Sequence, residues 1–377
     1  MLITTKIKLM LEQEHHDKLL ETMKQYNAAC NYISGFAFEQ SQYNRIKLQK
    51  LVYYDVRDKF HLSSQMTILA VRKVADAYIA GKAKKKKEYK KPKSKKNVEK
   101  TLISFRETGA MSYDARTLSF TGLELASILT LDGRIKVPMK ISPYHQGVMQ
   151  GKNIRGQADL IWHDGVFYLL LVVELPENEP YIPIDALGVD LGIKNIAADS
   201  MGESHSGDAV NAVRHRNAKL RAKLQAKGTK SAKRLLARRR RKEARFSRDV
   251  NHCISKHMVE KAKRHRSLLA LEDLTGIRER ITVRKAQRRN QHAWAFAQLR
   301  SYIEYKALIA GVPVVLVDPR NTSRECPQCG HIAKENRKTR DWFCCQACEY
   351  AAPADNVAAL NIRSRALVSV PNVGVAI

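Results

Sequence analysis

The sequence predicts a multidomain α/β protein. A β-rich N-terminal part carries an inserted helical block, and a mixed sheet flanked by helices, with a metal-binding ribbon, makes up the remainder. Three observations carry this expectation. Apolar residues switch from alternate spacing to helical spacing and back within the first 180 or so residues. In the last half, short apolar runs alternate with helical segments, the order that a sheet packed between helices requires. Near the C-terminus, Cys326-Pro-Gln-Cys329 and Cys345-Gln-Ala-Cys348 make a C-x2-C-x15-C-x2-C pattern. Two such turns can fold back and offer four thiolates to one tetrahedral Zn2+.

Taken in order, Ile3, Thr5, Ile7 and Leu9 alternate with polar residues and predict a short strand. From Glu14 to Ala80 the spacing is helical, with Leu19, Met23, Tyr26, Cys30 and Ile33 on one stripe and Met66, Leu69, Val74 and Tyr78 on another. The helices are expected to end at Gly81, where a lysine-dense run from Lys82 to Lys96, including Lys84, Lys85, Lys86 and Lys87, should repel itself into an open loop. That run is either a solvated linker or a phosphate contact, whose affinity would depend strongly on salt. From Thr101 to Pro176 the pattern is β, and Asp164-Gly165 between two apolar runs predicts a two-residue hairpin turn. A small antiparallel barrel or curled sheet follows, completed by the first strand, with the helical block inserted.

The third region starts at Pro183. Ala186-Leu-Gly-Val-Asp190 is an apolar strand that ends in a carboxylate. Asn211 to Arg266 is helical and basic, broken at Gly228-Thr229, and carries Lys230, Lys233, Arg234, Arg238, Arg239, Arg240 and Arg241. Val250, Ile254 and Met258 supply its packing stripe. Ser267 to Glu272 repeats the strand that ends in acid. Trp294, Leu299, Ile303 and Ala307 then mark a helix, and Val312 to Asp318 a further buried strand. Past the cysteines, Asp355 opens an Ala/Leu/Asn-rich segment of high helix propensity. Alone, Asp355 reads as a helix N-cap; to read as a metal-binding carboxylate it needs partners from elsewhere in the chain.

Composition bounds the partners. Lysine and arginine number 67 against 37 acidic residues, a formal charge of +30, which self-repels unless an anionic partner neutralises it. Nucleic acid is the expected partner. No apolar run approaches the ~20 residues of a spanning helix, and the start, MLITTKIKLM, is too charged for a secretory signal, so a membrane is not expected. Cys30 and Cys253 are expected as buried free thiols, no disulfide framework is apparent, and a reducing, cytoplasmic setting is expected.

Asp190, Glu272 and Asp355 each close or open a core element about eighty residues apart. Carboxylates brought together stay ionised only around a divalent cation, and hard oxygens favour Mg2+ or Mn2+. Two such ions ~4 Å apart suit phosphodiester hydrolysis. No nucleophile arrangement accompanies His15, His16 or His252, and no Walker-type phosphate loop is present.

The stretches GVDLGIKNIA, LALEDLTGIRER, VDPRNTSRECPQCG and ADNVAALNI, with RDVNHCISK at Arg248–Lys256, resemble the signatures of the TnpB (OrfB) proteins of insertion sequences, relatives of compact type V CRISPR effectors. The resemblance covers Ala186 to Arg363; the first 180 residues fit in layout and charge. It implies an RNase H-like (RuvC) nuclease core with a zinc-ribbon insertion, and a helical bundle inserted in a small β-barrel. It further implies an RNA-guided DNA endonuclease with Asp190, Glu272 and Asp355 holding two ions, Asp190 bridging them. The zinc would be structural, on Cys326, Cys329, Cys345 and Cys348. The partners would be a guide RNA from the transposon end and double-stranded target DNA beside a short flanking motif, with a monomer favoured. Residues 1–13 and 99–182 would be the wedge-like barrel, 14–98 the recognition part with its lysine-rich linker, and 183–320 the nuclease core with a basic insertion at 211–266. Residues 321–352 would be the ribbon and 353–377 the last core helix and tail. A guided repressor that no longer cuts and a strand-transfer transposase are the alternatives. Two departures stand out. Pro353 replaces an acidic residue often found there, and Glu349 replaces the glycine usual after the second cysteine turn, with Cys344 as a spare thiol.

Overall fold

The computed structural model describes residues 1–88, 101–151, 153–274 and 296–369. Two compact units divide the chain, Met1–Leu175 and Pro176–Ile377. Among the described residues no helix is long and apolar enough to cross a membrane.

In the first unit, β1 (Leu2–Leu9) buries Thr5, Ile7 and Leu9, as its alternation predicts. Helices α1 (Gln13–Glu39), α2 (Arg45–Phe60) and α3 (Ser64–Glu88) follow. The two predicted stripes are their shared core: Leu19, Met23, Tyr26, Cys30, Ile33 and Met66 are fully buried. Asn44 caps α2 by accepting from the Ile46 and Lys47 amides at 3.0 and 3.1 Å. Helix α3 does not end at Gly81 but continues to Glu88. Lysine, alanine and glutamate are good helix formers, and that preference prevails over the expected like-charge unravelling. The side chains of Lys84, Lys85, Lys86 and Lys87, and the run beyond Glu88, lie outside the described residues.

The strands β2 (Met111–Tyr113), β3 (Leu118–Thr121), β4 (Leu125–Thr130) and β5 (Gly133–Lys140) come next, then a short helix α4 (Pro143–Met149), β6 (Asn153–His163) and β7 (Val166–Glu174). They form a seven-stranded sheet ordered β2-β6-β7-β1-β5-β4-β3, every pair antiparallel. The β6–β7 turn is Asp164-Gly165, both at positive φ (53° and 78°), the two-residue hairpin its sequence predicts.

The second unit holds β8 (Asp185–Asp190), β9 (Asn195–Asp199), β10 (Ser204–Ser206), α5 (Asp208–Lys227), α6 (Lys230–Arg264), β11 (Ser267–Glu272), α7 (Phe296–Ala310) and β12 (Val314–Val317). Two short ribbon strands, β13 (Trp342–Cys344) and β14 (Ala351–Pro353), precede α8 (Ala354–Ser369). The sheet order is β10-β9-β8-β11-β12, with β8, β11 and β12 parallel and β9 and β10 antiparallel. Gly228 at φ 63° and the Thr229 cap separate α5 from α6, as predicted.

Both faces of this sheet are covered. Leu187, Val189, Leu269 and Leu271 pack against Ile254 and Met258 of α6 and Leu299, Ile303 and Ala307 of α7. Ala186, Leu268 and Ala270 point the other way, onto Ile362 and Ala366 of α8. Each fully buried aliphatic side chain of this kind contributes about 1.5–3 kcal/mol. Two expectations change here. Strand β12 is a sheet edge, with Val317 buried but Leu316 40% exposed, because nothing pairs beyond it among the described residues. Cys253 is exposed, since it lies off the α6 stripe of Ile254 and Met258 that meets the sheet. Trp294 lies outside the described residues.

Candidate active site

The alternation that assigns faces also aims the acids. Ala186 and Gly188 face α8, so Asp190, two further on in β8, shares that face; Leu268 and Ala270 likewise lead to Glu272. Parallel pairing sets Leu271 opposite Val189, so both acids stand at the same end of neighbouring strands.

Helix α8 brings the third. It runs against β8 so closely that a Cβ on Gly188 would lie 2.1 Å from the Ala359 carbonyl oxygen. Arg363 of α8 grips Asp185 at the start of β8 with two bonds of 3.0 and 2.9 Å. Its N-terminal turn, with Asp355, therefore lies toward the Asp190 end, where Asn195 Nδ2 donates to Asp355 Oδ2 at 2.9 Å. The expected N-cap role does not arise, because Asp355 sits inside the first turn.

Electrostatics tie the three together. Burial, and then the negative charges of Glu272 and Asp355, push the Asp190 carboxyl up to about 8 from an ordinary 3.8; the Arg337 guanidinium acts against this. Burial also raises Glu272, opposed by the Thr322 hydroxyl, which donates to Glu272 Oε1 at 2.5 Å, and by the charge of Arg365. The three carboxylates offer an all-oxygen donor set, which is chemically suited to a hard divalent cation. The acids are nonetheless spaced more widely than the two groups of described residues whose ligand atoms all lie within 4.8 Å of one another, which are four cysteines and Glu203, His205 and His257.

The cysteine group is Cys326, Cys329, Cys345 and Cys348. The sulfurs of Cys326 and Cys348 are 3.5 Å apart and those of Cys329 and Cys345 3.6 Å. Zinc–sulfur bonds of 2.3 Å in a tetrahedron would set about 3.8 Å between sulfurs, so the four thiols fit a structural Zn2+. Cys345 belongs to the group and Cys344 is exposed outside it. In the first turn Gly330 takes φ 71°; in the second, Glu349 takes φ 61° in the place where glycine is usual.

Phe343 is buried with Cys326, Cys345 and Val357, so it anchors the ribbon on α8. Arg337 turns to within 3.6 Å of Asp355 Oδ1. Lys334, Lys338, Arg340 and Trp342 are exposed.

Sequence reasoning missed Asn195, Thr322, Arg337 and Asn361. Asn361 of α8 donates to the Thr322 and Glu325 carbonyls at 2.7 and 2.8 Å and so holds the loop that carries Thr322. All four are polar residues inside or beside the motifs, but nothing in their local pattern says that they face the acids. Of the predicted basic residues, Lys230, Lys233, Arg234, Arg238 and Arg240 are exposed on α6, while Arg239 is half-buried and donates to Asn217 of α5 at 3.2 Å. The side chain of Arg241 lies outside the described residues.

Residues 296–362 match the family model described as "Cas12f1-like, TNB domain". The TnpB-like protein MJ0751 of Methanocaldococcus jannaschii is 30% identical over 245 residues, spanning 60% of this chain and 85% of that protein. The CRISPR-associated endodeoxyribonuclease Cas12f1 of Sulfoacidibacillus thermotolerans is 38% identical over 135 residues, but these are 36% of this chain and only 29% of that protein. The putative RNA-guided DNA endonuclease InsQ of Escherichia coli is 27% identical over 219 residues, 52% of this chain and 53% of InsQ. Among solved structures, a Cas12f1–sgRNA–target DNA complex matches with a TM-score of 0.59 at 15% identity, over 94% of this chain and 83% of that one. The mini-RNA-guided endonuclease CRISPR-Cas_phi3 also scores 0.59, at 11% identity, over 98% and 93%. At such identities the likeness is one of fold.

Proposed function

The chain belongs to the TnpB family, and from that premise we propose that it is an RNA-guided DNA endonuclease whose second unit is an RNase H-like (RuvC) nuclease core. The observation that carries the reading is the gathering of Asp190, Glu272 and Asp355 toward one end of the parallel strands, where burial, and then the charges of Glu272 and Asp355, push Asp190 up to about 8. Related proteins named as RNA-guided or CRISPR-associated endonucleases support it.

Each residue has a part. Asp190, Glu272 and Asp355 would together hold the divalent ions, each offering carboxylate oxygens. Mg2+ or Mn2+ bound there would supply a Lewis acid for the scissile phosphate and lower the pKa of the attacking water. Thr322 and Asn195 hold Glu272 and Asp355 in fixed orientations, so little reorganisation remains at the moment of reaction. Arg337 places a guanidinium beside the site where a phosphate would lie. The exposed cations of α6 would contact the sugar–phosphate backbone, while base pairing with the guide reads sequence. Residues 1–13 and 99–182 would act as the wedge and 14–98 as the recognition part. A guide RNA from the transposon end and a short flanking DNA motif complete the reading.

Asp355→Ala tests it. With guide RNA, Mg2+ and a target plasmid, the wild type should linearise the plasmid, and the variant should bind target without cutting. Retained cutting removes the site assignment, and end joining in place of cleavage removes the nuclease reading.

A further inference from the structure

We propose that Glu203, His205 and His257 form a second transition-metal site, for an ion of the Zn2+ class, that clips the β9–β10 turn to helix α6. His205 Nε2 and His257 Nδ1 face each other at 3.2 Å. Two zinc-bound imidazole nitrogens at 2.0–2.1 Å in a tetrahedron stand about 3.3 Å apart, so the pair already has the separation that one ion would impose. The three residues offer one ligand atom each, all within 4.8 Å of one another.

The surroundings are built rather than loose. Asp199 is fully buried, and its Oδ1 accepts from the Met201 and Glu203 amides, both at 3.0 Å, which closes the turn that presents Glu203. Lys261 Nζ donates to Asp199 Oδ2 at 2.5 Å and Glu203 Oε2 at 2.8 Å. The two carboxylates exceed the one ammonium, leaving one net negative charge beside two imidazoles. Burial, and then the neighbouring His257, lower the pKa of His205, which favours the neutral, ligating form. Two nitrogens and a carboxylate oxygen suit zinc and its neighbours better than Mg2+, and water would fill the fourth position. The ligands come from the strand hairpin and from the helix, so the ion would cross-link elements 52 residues apart in sequence. None of this depends on the nuclease reading.

The test uses the full-length chain with its ribbon loaded with Zn2+ and the oxygen-ligand site held by excess Mg2+. Titrated Co2+ should then give tetrahedral d–d absorption without thiolate charge transfer in the wild type. His205→Ala and His257→Ala should lose that band, and elemental analysis after Zn2+ dialysis should show one zinc fewer per chain in each. Absence of the band in the wild type overturns the proposal whatever the variants do. Equal zinc content in the wild type and both folded variants overturns it as well, leaving a hydrogen-bonded histidine pair.

Discussion

Gly188→Ala is expected to damage both stability and cleavage. A methyl carbon there would sit 2.1 Å from the Ala359 carbonyl oxygen and 2.6 Å from the Arg363 amide nitrogen. Both are backbone atoms of α8, and neither can rotate aside. To restore ordinary van der Waals separation the helix must retreat by roughly 1 Å. Overpacking of this kind costs about 1–3 kcal/mol, and the rigid contact places this case at the upper end. For a unit of this size that is a fall of roughly 5–10 °C in its melting transition. Asp355 lies one turn before Ala359 on the same helix, so the carboxylate moves with it. A displacement near 1 Å at reacting groups costs about 100-fold in rate. Thermal denaturation and single-turnover cleavage measure the two effects. Gly35→Ala is the control, since its Cβ meets nothing within 4 Å and it lies within α1, where alanine is the better helix former. If Gly188→Ala melts with the wild type and cuts within a factor of two of it, the close approach of α8 does not position Asp355.

Other expectations follow from the same geometry. Asn195→Ala and Thr322→Val should each slow cleavage about 10- to 100-fold while target binding stays within a factor of two, because each removes one bond that orients a carboxylate; equal losses in binding would point to misfolding instead. Asp190 holds more protons folded than unfolded between its ordinary 3.8 and about 8, so the chelated wild type should lose stability as pH rises through that window. Asp190→Asn should remove that loss, and identical pH slopes for the two proteins in urea unfolding would contradict the assignment. Glu349→Gly should relieve about 1 kcal/mol of left-handed backbone strain in the second cysteine turn. Zinc affinity, measured by competition with a chromophoric chelator, should then rise roughly fivefold; an unchanged or lower affinity shows that the turn bears no such strain.

Local pattern alone was enough to single out three acids and four cysteines, and the four cysteines come together in the fold. Carboxylates at the ends of apolar strands, two cysteine turns at ribbon spacing and a helix break at Gly228-Thr229 are each written in a short stretch of sequence. What pattern could not supply is which polar side chain meets which acid. Asn195 and Asp355 are 160 residues apart in sequence, and their bond exists only because Gly188 lets α8 lie against β8. Arg337 reads as one more exposed cation until the ribbon core of Phe343 seats on Val357 and turns it toward Asp355. His205 and His257 carry no recognisable spacing, because one rides a short edge strand and the other a helix, and only packing sets them 3.2 Å apart. The exposure of Cys253 and the open edge at β12 turned on neighbours distant in the chain, whose positions no short stretch encodes, whereas the helix past Gly81 turned on local helix propensity outweighing like-charge repulsion.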